Sequence, residues 1–342
     1  MVFTEKVLLE DKNMELIKLI DIDFNGAVLV KKDGVKILAQ AYGYSNIPDE
    51  ISNHLHTKFA TASAGKTFVA VGILQLIQKK KLDLNATIGE LLYVDWHSID
   101  PNITVRQLLT HTSGIPDYFD ESVMDDYAEL WRNFPNYRIR KNRDLLPLFI
   151  GKPMMYPAGK RFQYNNTGFV VLALILEEIG KVPFDVYLKD KVFDPAGMEN
   201  TGYYELDRLP KNCAYNYIWD KERNEYYTNI YSVDAKGTGA GGAFTTVLDI
   251  EKFWESLLNG RLLSKALVDE MLKVQAYDNE NSYGYGMWLT DDGEPFFQGS
   301  DPGVSFFSCY DRQKKILMTF VSNTGNDVWK LAKNVREVLA GK

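Results

Sequence analysis

The chain has 342 residues, 45% of them hydrophobic and 25% charged, which excludes a disordered, collagen-like or coiled-coil protein. A length of this order implies about two domains, or one large domain with an insertion. The 39 basic and 46 acidic side chains leave a net charge of -7, so no basic surplus exists to neutralise phosphates and nucleic acid is not an expected partner.

The N-terminal segment carries acidic residues from Glu5 onward and lacks an apolar run before a small-residue cleavage site, so it does not read as a signal peptide. The longest apolar runs, 67–77 and 168–176, are too short for a membrane span. A cytoplasmic protein with no membrane span is expected. Cys213 and Cys309 are too few for a disulfide framework or a four-cysteine zinc site, and they read as free thiols.

Residues 11–21 predict a short helix. Over 27–43, two β-rich runs flank Lys32-Asp33-Gly34 and predict a hairpin. From Ser63 the chain turns helical, and Phe68, Val69, Val71, Ile73, Leu74, Leu76 and Ile77 leave almost no polar face. Such a helix is buried on all sides, and Lys79, Lys80 and Lys81 close it, where cations complement the helix dipole. Residues 82–200 carry a mostly helical pattern broken by Pro and Gly, with a clear helix from Thr167 to Ile179 that stops at Gly180. Residues 213–233 predict an aromatic hairpin, which either walls a cleft or packs as a plain edge. A helix over 246–258 opens on the capping pair Thr246 and Asp249. Strands are predicted at 284–290, 303–310 and 315–322, and a helix at 327–339.

Strands therefore sit at both ends and helices in the middle. This predicts an α/β (α+β) fold: an antiparallel sheet of N- and C-terminal strands flanked by helices, with an inserted, mainly helical subdomain. The expected division is 1–81 with 232–342 for the sheet part and 82–231 for the insert, with a ligand cleft between them.

Three short segments carry chemistry. In Ser63-Ala64-Gly65-Lys66, Ser and Lys lie three apart on one helix face. Burial and the positive end of the helix dipole disfavour the Lys66 ammonium, and a neutral amine can take the proton of Ser63 and make it a nucleophile. The competing reading makes Ser63 a plain helix cap. Tyr164-Asn165-Asn166 stands just before a helix, where Tyr can relay protons and Asn can hold a substrate carbonyl, or where the segment simply caps that helix. Phe297-Gln298-Gly299-Ser300-Asp301-Pro302-Gly303 enters a strand. Its glycine lets a substrate approach backbone N–H groups that can complete an oxyanion hole, unless the segment is only a turn.

Taken in order, these segments resemble the serine β-lactamase and penicillin-binding-protein superfamily. Leu108-Leu109-Thr110-His111-Thr112-Ser113-Gly114 resembles the signature of its class C-like branch. Similar to that branch as well are Tyr156-Pro157-Ala158-Gly159, Pro195-Ala196-Gly197-Met198 with Thr201, and Gly241-Gly242-Ala243-Phe244-Thr245-Thr246 with Asp249. The resemblance spans about residues 24–325. It implies that Ser63 is the acyl-accepting nucleophile, that Lys66 and Tyr164 share acid and base work, and that Asn166 orients substrate. It also implies an oxyanion hole from the backbone N–H groups of Ser63 and Ser300, with Phe297, Gln298 and Gly299 standing where the family has its Lys-Thr-Gly or His-x-Gly triplet. Pro302-Gly303 supports that register. Phe297 then occupies the cationic position and cannot bind a substrate carboxylate, so weak β-lactam turnover is expected.

No G-x-S-x-G elbow surrounds Ser63, since Thr61 stands at the first glycine position, so His111 reads as a residue that holds its loop together rather than as a triad base. His54 and His56 have no third ligand at metal spacing. Gly237-Thr238-Gly239-Ala240-Gly241-Gly242 fits G-x-G-x-x-G, but no buried strand precedes it and no βαβ unit surrounds it. No cofactor or metal is expected. The sequence thus predicts a serine hydrolase acting on a small ester, amide or short peptide, D-amino-acid peptides included. β-Lactamase or D-alanyl carboxypeptidase activity uses the same residues, and the fold also admits a non-turnover acyl sensor or scaffold.

Overall fold

Asp33 and Gly34 both take positive φ, 49° and 83°, the backbone of a two-residue hairpin turn. They fold Gly26–Lys32 (β1) back onto Val35–Tyr42 (β2), with Lys32 opposite Val35. The computed structural model describes residues 12–277 and 282–341. From the far end of the chain come Ala276–Tyr277 (β3), Ser282–Tyr283 (β4), Trp288–Leu289 (β5), Pro295–Asp301 (β6), Val304–Asp311 (β7) and Ile316–Ser322 (β8). They join the first hairpin in one sheet of order β2-β1-β8-β7-β6-β5-β4-β3. Every neighbouring pair in it is antiparallel. Strand β1 is thus the seam at which the two ends of the chain meet.

Each face of the sheet is covered, because alternate residues on β1, β7 and β8 are apolar on both sides. On one face Val28, Val30, Phe307, Met318 and Phe320 pack against Leu16 of the helical segment 12–17 and against Val328, Leu331 and Val335 of the C-terminal helix Val328–Leu339. On the other, Ala27, Leu29, Phe306 and Val321 pack against Lys66–Gln78 (α1) and Val247–Leu258 (α3). The first of these helices is buried from Lys66 to Leu76. Each enclosed Leu, Ile, Val or Phe contributes about 1.5–3 kcal/mol, so its first turn rests on a rigid core. Asn166–Gly180 (α2) packs beside it.

Over residues 82–231, regular helix comes in short pieces apart from α2, such as Ile88–Leu91 and Val105–Leu109. Both begin in a complete capping box, Thr87 with Glu90 and Thr104 with Gln107. The aromatic hairpin pairs Tyr217–Asp220 with Glu225–Thr228.

Two details differ from the sequence reading. Of the strand expected over 284–290 only Trp288–Leu289 forms, because Gly286 takes φ 68° and Gly284 lies where a Cβ would be 2.1 Å from the Met271 carbonyl, so a turn separates β4 from β5. The segment from Phe297 to Asp301 belongs to a strand of its own, β6, and the turn is confined to Pro302-Gly303. Thr246 caps α3 through the N–H of Asp249 at 3.0 Å. The Asp249 carboxylate turns the other way, accepting from Asn200 N at 2.7 Å and Thr201 Oγ1 at 3.0 Å. Lys252 Nζ bonds both Asp249 and the Gly197 carbonyl, so the 195–201 and 241–249 segments are locked to each other.

Candidate active site

Ser63 lies in a single 3-10 turn, Ala62–Gly65, that runs directly into α1. The reading of Ser63 as a cap does not hold, since neither helix start makes a side-chain cap bond. Ala62 is held in the left-handed region at φ 46°, a conformation that costs a non-glycine residue energy and that clusters at functional sites. Two glycines clamp the turn. A Cβ on Gly299 of β6 would sit 2.3 Å from Thr61 O and 2.6 Å from Ser63 N, and one on Gly241 would sit 2.4 Å from Ala62 O. Only residues without a side chain let both segments approach Ser63 this closely.

Lys66 is 2% exposed. Its Nζ has three acceptors: Ser63 Oγ at 2.9 Å, Asn166 Oδ1 at 2.8 Å and the Ala240 carbonyl at 2.5 Å. Burial pulls the amine down to about 8, against the opposing pull of Glu121, Asp117, Asp301 and Asp234. Three acceptors satisfy an ammonium. After loss of one proton, the two remaining N–H groups still satisfy Asn166 and Ala240, and the lone pair is left facing Ser63. The site thus accommodates both protonation states without rearrangement.

Asn166 opens α2, and Asn165 caps that helix through Gly168 N at 2.8 Å. The Asn166 amide is a bridge: its oxygen accepts a hydrogen bond from Lys66 Nζ, and its nitrogen donates to Phe119 O and to Glu121 Oε1 at 3.0 Å. Asp117 supports it from below, accepting Asn166 N at 2.6 Å and both the N–H and hydroxyl of Thr167 at 3.0 Å. Burial nevertheless raises Asp117 to about 6.

The Tyr164 ring lies 4.9 Å from Lys66 Nζ and stacks on Trp288 at 5.8 Å. Burial raises its hydroxyl well above the ordinary phenol range, and the Glu121 charge adds to the rise. His111 packs 4.4 Å from the same ring. Its Nδ1 accepts Asn165 N at 3.0 Å, which leaves the proton on Nε2 to be donated to the Tyr283 hydroxyl at 3.1 Å. Burial and the Lys66 charge push His111 well below its ordinary value. It is a neutral strut for the 163–166 loop.

A cavity of about 500 Å³ opens over Ser63, and Asn166, Gly241 and Ser300 line it. The structure thus gathers Ser63, Lys66, Tyr164, Asn166, Gly299 and Ser300. It does not bring in Phe297 or Gln298. Phe297 is 2% exposed and packs among Phe68, Phe253, Trp254 and Phe306. Gln298 points to the other face of the sheet, where its Oε1 accepts Trp329 Nε1 at 2.7 Å. Strand alternation is the reason: Phe297, Gly299 and Asp301 share one face, and only the end of the strand reaches the cavity.

Sequence reasoning missed Asp117, Glu121, Asp234 and the Ala240 carbonyl. The G-x-G-x-x-G segment signalled the last of these, because its glycines form the wall against Ser63 rather than a phosphate loop. Asp301 was legible from the period of two that it shares with Gly299. Nothing local marks Asp234, which meets the site only through the fold.

A two-sided antiparallel sheet with Ser-x-x-Lys at the head of its buried helix and Tyr-x-Asn facing it defines the serine β-lactamase and penicillin-binding-protein superfamily of hydrolases. The chain belongs to the beta-lactamase family, whose model matches residues 22–340. It is 25% identical over 330 residues to the putative penicillin-binding protein PbpX of Bacillus subtilis (strain 168), covering 94% of this chain and 77% of that protein. Among solved structures, a penicillin binding protein from Bacillus halodurans is 34% identical with a TM-score of 0.90, over 94% of this chain and 99% of that one. The D-amino acid amidase from Ochrobactrum anthropi SV3 shares the fold with a TM-score of 0.78 at 20% identity, over 97% of this chain and 99% of that one. Among the described residues no helix is long and apolar enough to cross a membrane.

Proposed function

We propose that the protein is a serine hydrolase that cleaves a small ester or amide, short D-amino-acid peptides included, through an acyl-enzyme on Ser63. The observation that carries this reading is Lys66 Nζ, buried and 2.9 Å from Ser63 Oγ with its other two partners fixed. In this reading the neutral amine takes the Ser63 proton as Oγ bonds to the substrate carbonyl carbon. The oxyanion forms beside the N–H groups of Ser63 and Ser300. The C–O or C–N bond then breaks, and the leaving alcohol or amine receives a proton through Tyr164 or Lys66. A water molecule gives a proton to the same pair and attacks the ester, and Ser63 recovers its proton as the acid leaves. The high value of Tyr164 favours Lys66 as the first base and Tyr164 as the donor.

The parts that hold these groups are the sheet part, residues 1–81 with 232–342, which supplies Ser63, Lys66 and Ser300, and the insert 82–231, which supplies Tyr164 and Asn166. The reading is of an esterase or amidase in the class C-like branch rather than a β-lactamase, because Phe297 stands in the core where a carboxylate-binding cation would be needed. One missing charged contact is worth about tenfold or more in discrimination. p-Nitrophenyl acetate is therefore expected to exceed nitrocefin in kcat/KM by at least about tenfold. Nitrocefin turnover far above ester turnover would overturn this specificity.

A further inference from the structure

The Ala240 carbonyl accepts a hydrogen bond from Lys66 Nζ at 2.5 Å, and the path of the backbone alone decides where that oxygen points. Gly239 and Ala240 are the central residues of a turn that Thr238 and Gly241 close by exchanging both backbone bonds, Thr238 N to Gly241 O at 2.9 Å and Gly241 N to Thr238 O at 3.1 Å. The tip of this turn lies against α2, where a Cβ on Gly239 would sit 2.2 Å from the Phe169 carbonyl. A side chain from outside the catalytic motifs pins it. Asn142, at the head of the 3-10 segment Asn142–Leu148, is 0% exposed, and its Oδ1 accepts Gly239 N at 2.8 Å. Its Nδ2 donates to Glu177 Oε1 at 3.1 Å near the end of α2, and Phe184 N donates to the same oxygen at 3.3 Å. A bonded chain thus runs from Glu177 through Asn142 and the turn to Lys66. A side-chain amide suits this place because one planar group offers an acceptor to the backbone N–H and a donor to the carboxylate. Asn142 does not line the cavity over Ser63, so it acts on a substrate only through other groups.

We infer that Asn142 is a positioning residue for the reaction: it fixes the tip of the 238–241 turn, and through the Ala240 carbonyl it aims the Lys66 amine at Ser63. This role rests on Lys66 acting as the base. Once the ammonium has lost a proton, its two N–H groups must stay on Asn166 and Ala240 for the lone pair to face Ser63. Without Asn142 the enclosed Gly239 N–H has lost its acceptor and turns to find another, and the tip of the turn follows it. The Ala240 oxygen then leaves Nζ, with two separate consequences. The lone pair is no longer held in line with Ser63, and a misplacement of about 1 Å at a reacting group costs about 10² in rate. The ammonium also loses an acceptor that favours it, so Lys66 titrates lower. Burial already pulls this amine down to about 8 against Glu121, Asp117, Asp301 and Asp234. The Tyr164 ring and His111 face it as well. All of these groups are left in place when Asn142 alone is changed.

Phosphonylation of Ser63 by a fluorophosphonate tests this: Ser63 Oγ bonds to phosphorus, fluoride leaves and the Ser63 proton passes to Lys66. Asn142→Ala is expected to lower the labelling rate at saturating probe by about ten- to a hundredfold. The half-saturating probe concentration should stay within about threefold of wild type, and the rising limb of the pH profile should move to lower pH. Burial already holds Glu177 above its ordinary value, against the bonds from Asn142 and Phe184 and the Arg143 charge, with Asp185 adding to the rise. In Asn142→Asp an oxygen remains for Gly239 N, and the nearness of Glu177 keeps one proton between the two carboxyls to serve as the donor. Labelling within about threefold of wild type is therefore expected for Asn142→Asp. Where Asn142→Ala does not fold, Glu177→Ala, which frees the far end of Asn142, is read by the same shift of the limb. Apart from any chemistry, the ε-carbon NMR resonance of Lys66, assigned by its loss in Lys66→Ala, is expected to titrate at lower pH in Asn142→Ala. A wild-type labelling rate with limb and midpoint unmoved overturns the inference and spares the nucleophile. A slower rate with an unmoved or raised limb gives Asn142 a merely structural role and overturns it too. A wild type that takes no label, with the Lys66 midpoint still lowered in Asn142→Ala, overturns the nucleophile and leaves the link from Asn142 to Lys66.

Discussion

Lys66→Ala is expected to lower kcat/KM on p-nitrophenyl acetate by about 10²–10⁴-fold, the usual contribution of a positioned general base. The same group sets the pH dependence. The amine lies at about 8, below the ordinary lysine value, so kcat/KM in the wild type should rise with pH and level off above about 8 as the ammonium is lost. Glu121, Asp117, Asp301 and Asp234 all face this amine and hold its value up. Glu121→Gln should therefore move the rising limb to lower pH. Titration of the initial rate checks both statements. A Lys66→Ala enzyme within a factor of about three of wild type would remove Lys66 from the chemistry, and a limb that Glu121→Gln moves upward would contradict the assignment of its charge.

Gly299→Ala should cost about 10²–10³-fold in kcat, comparable to loss of an oxyanion donor. The added methyl would meet the carbonyl of Thr61 and the amides of Ser63 and Ala64 at 2.3, 2.6 and 2.8 Å. All three are backbone atoms, so the strand must retreat or the turn that carries Ser63 must move. Either shift separates the N–H groups of Ser63 and Ser300. Steady-state kinetics on a saturating ester reads the effect, and unchanged kcat would show that the spacing of these two segments does not govern the reaction.

The outline of the fold was open to inspection in the sequence because periodicity marks elements that bury one or all faces. The apolar run behind Lys66 announced an enclosed helix, and the Asp33-Gly34 pair announced a hairpin whose φ values bear out the turn chemistry. The turn over 284–287 was hidden, since a glycine can serve either a strand or a turn and the decision came from the crowding of Gly284 against Met271. For the site, residue order carried Ser63, Lys66, Tyr164 and Asn166, because each sits in a local motif. The outward turn of Gln298 and the burial of Phe297 needed the register of β6 against β7. Of the acidic lining, Asp301 was within reach through the strand period it shares with Gly299, whereas Glu121 and Asp234 come from separated segments that only the fold brings to the cavity.

The central claim is that Ser63 is a nucleophile activated by Lys66. It is tested most directly by intact-protein and peptide mass spectrometry after treatment with a fluorophosphonate. The expected result is one adduct per chain, on Ser63, absent in Ser63→Ala and greatly slowed in Lys66→Ala. No adduct at Ser63, or ester turnover that survives in Ser63→Ala, would contradict it.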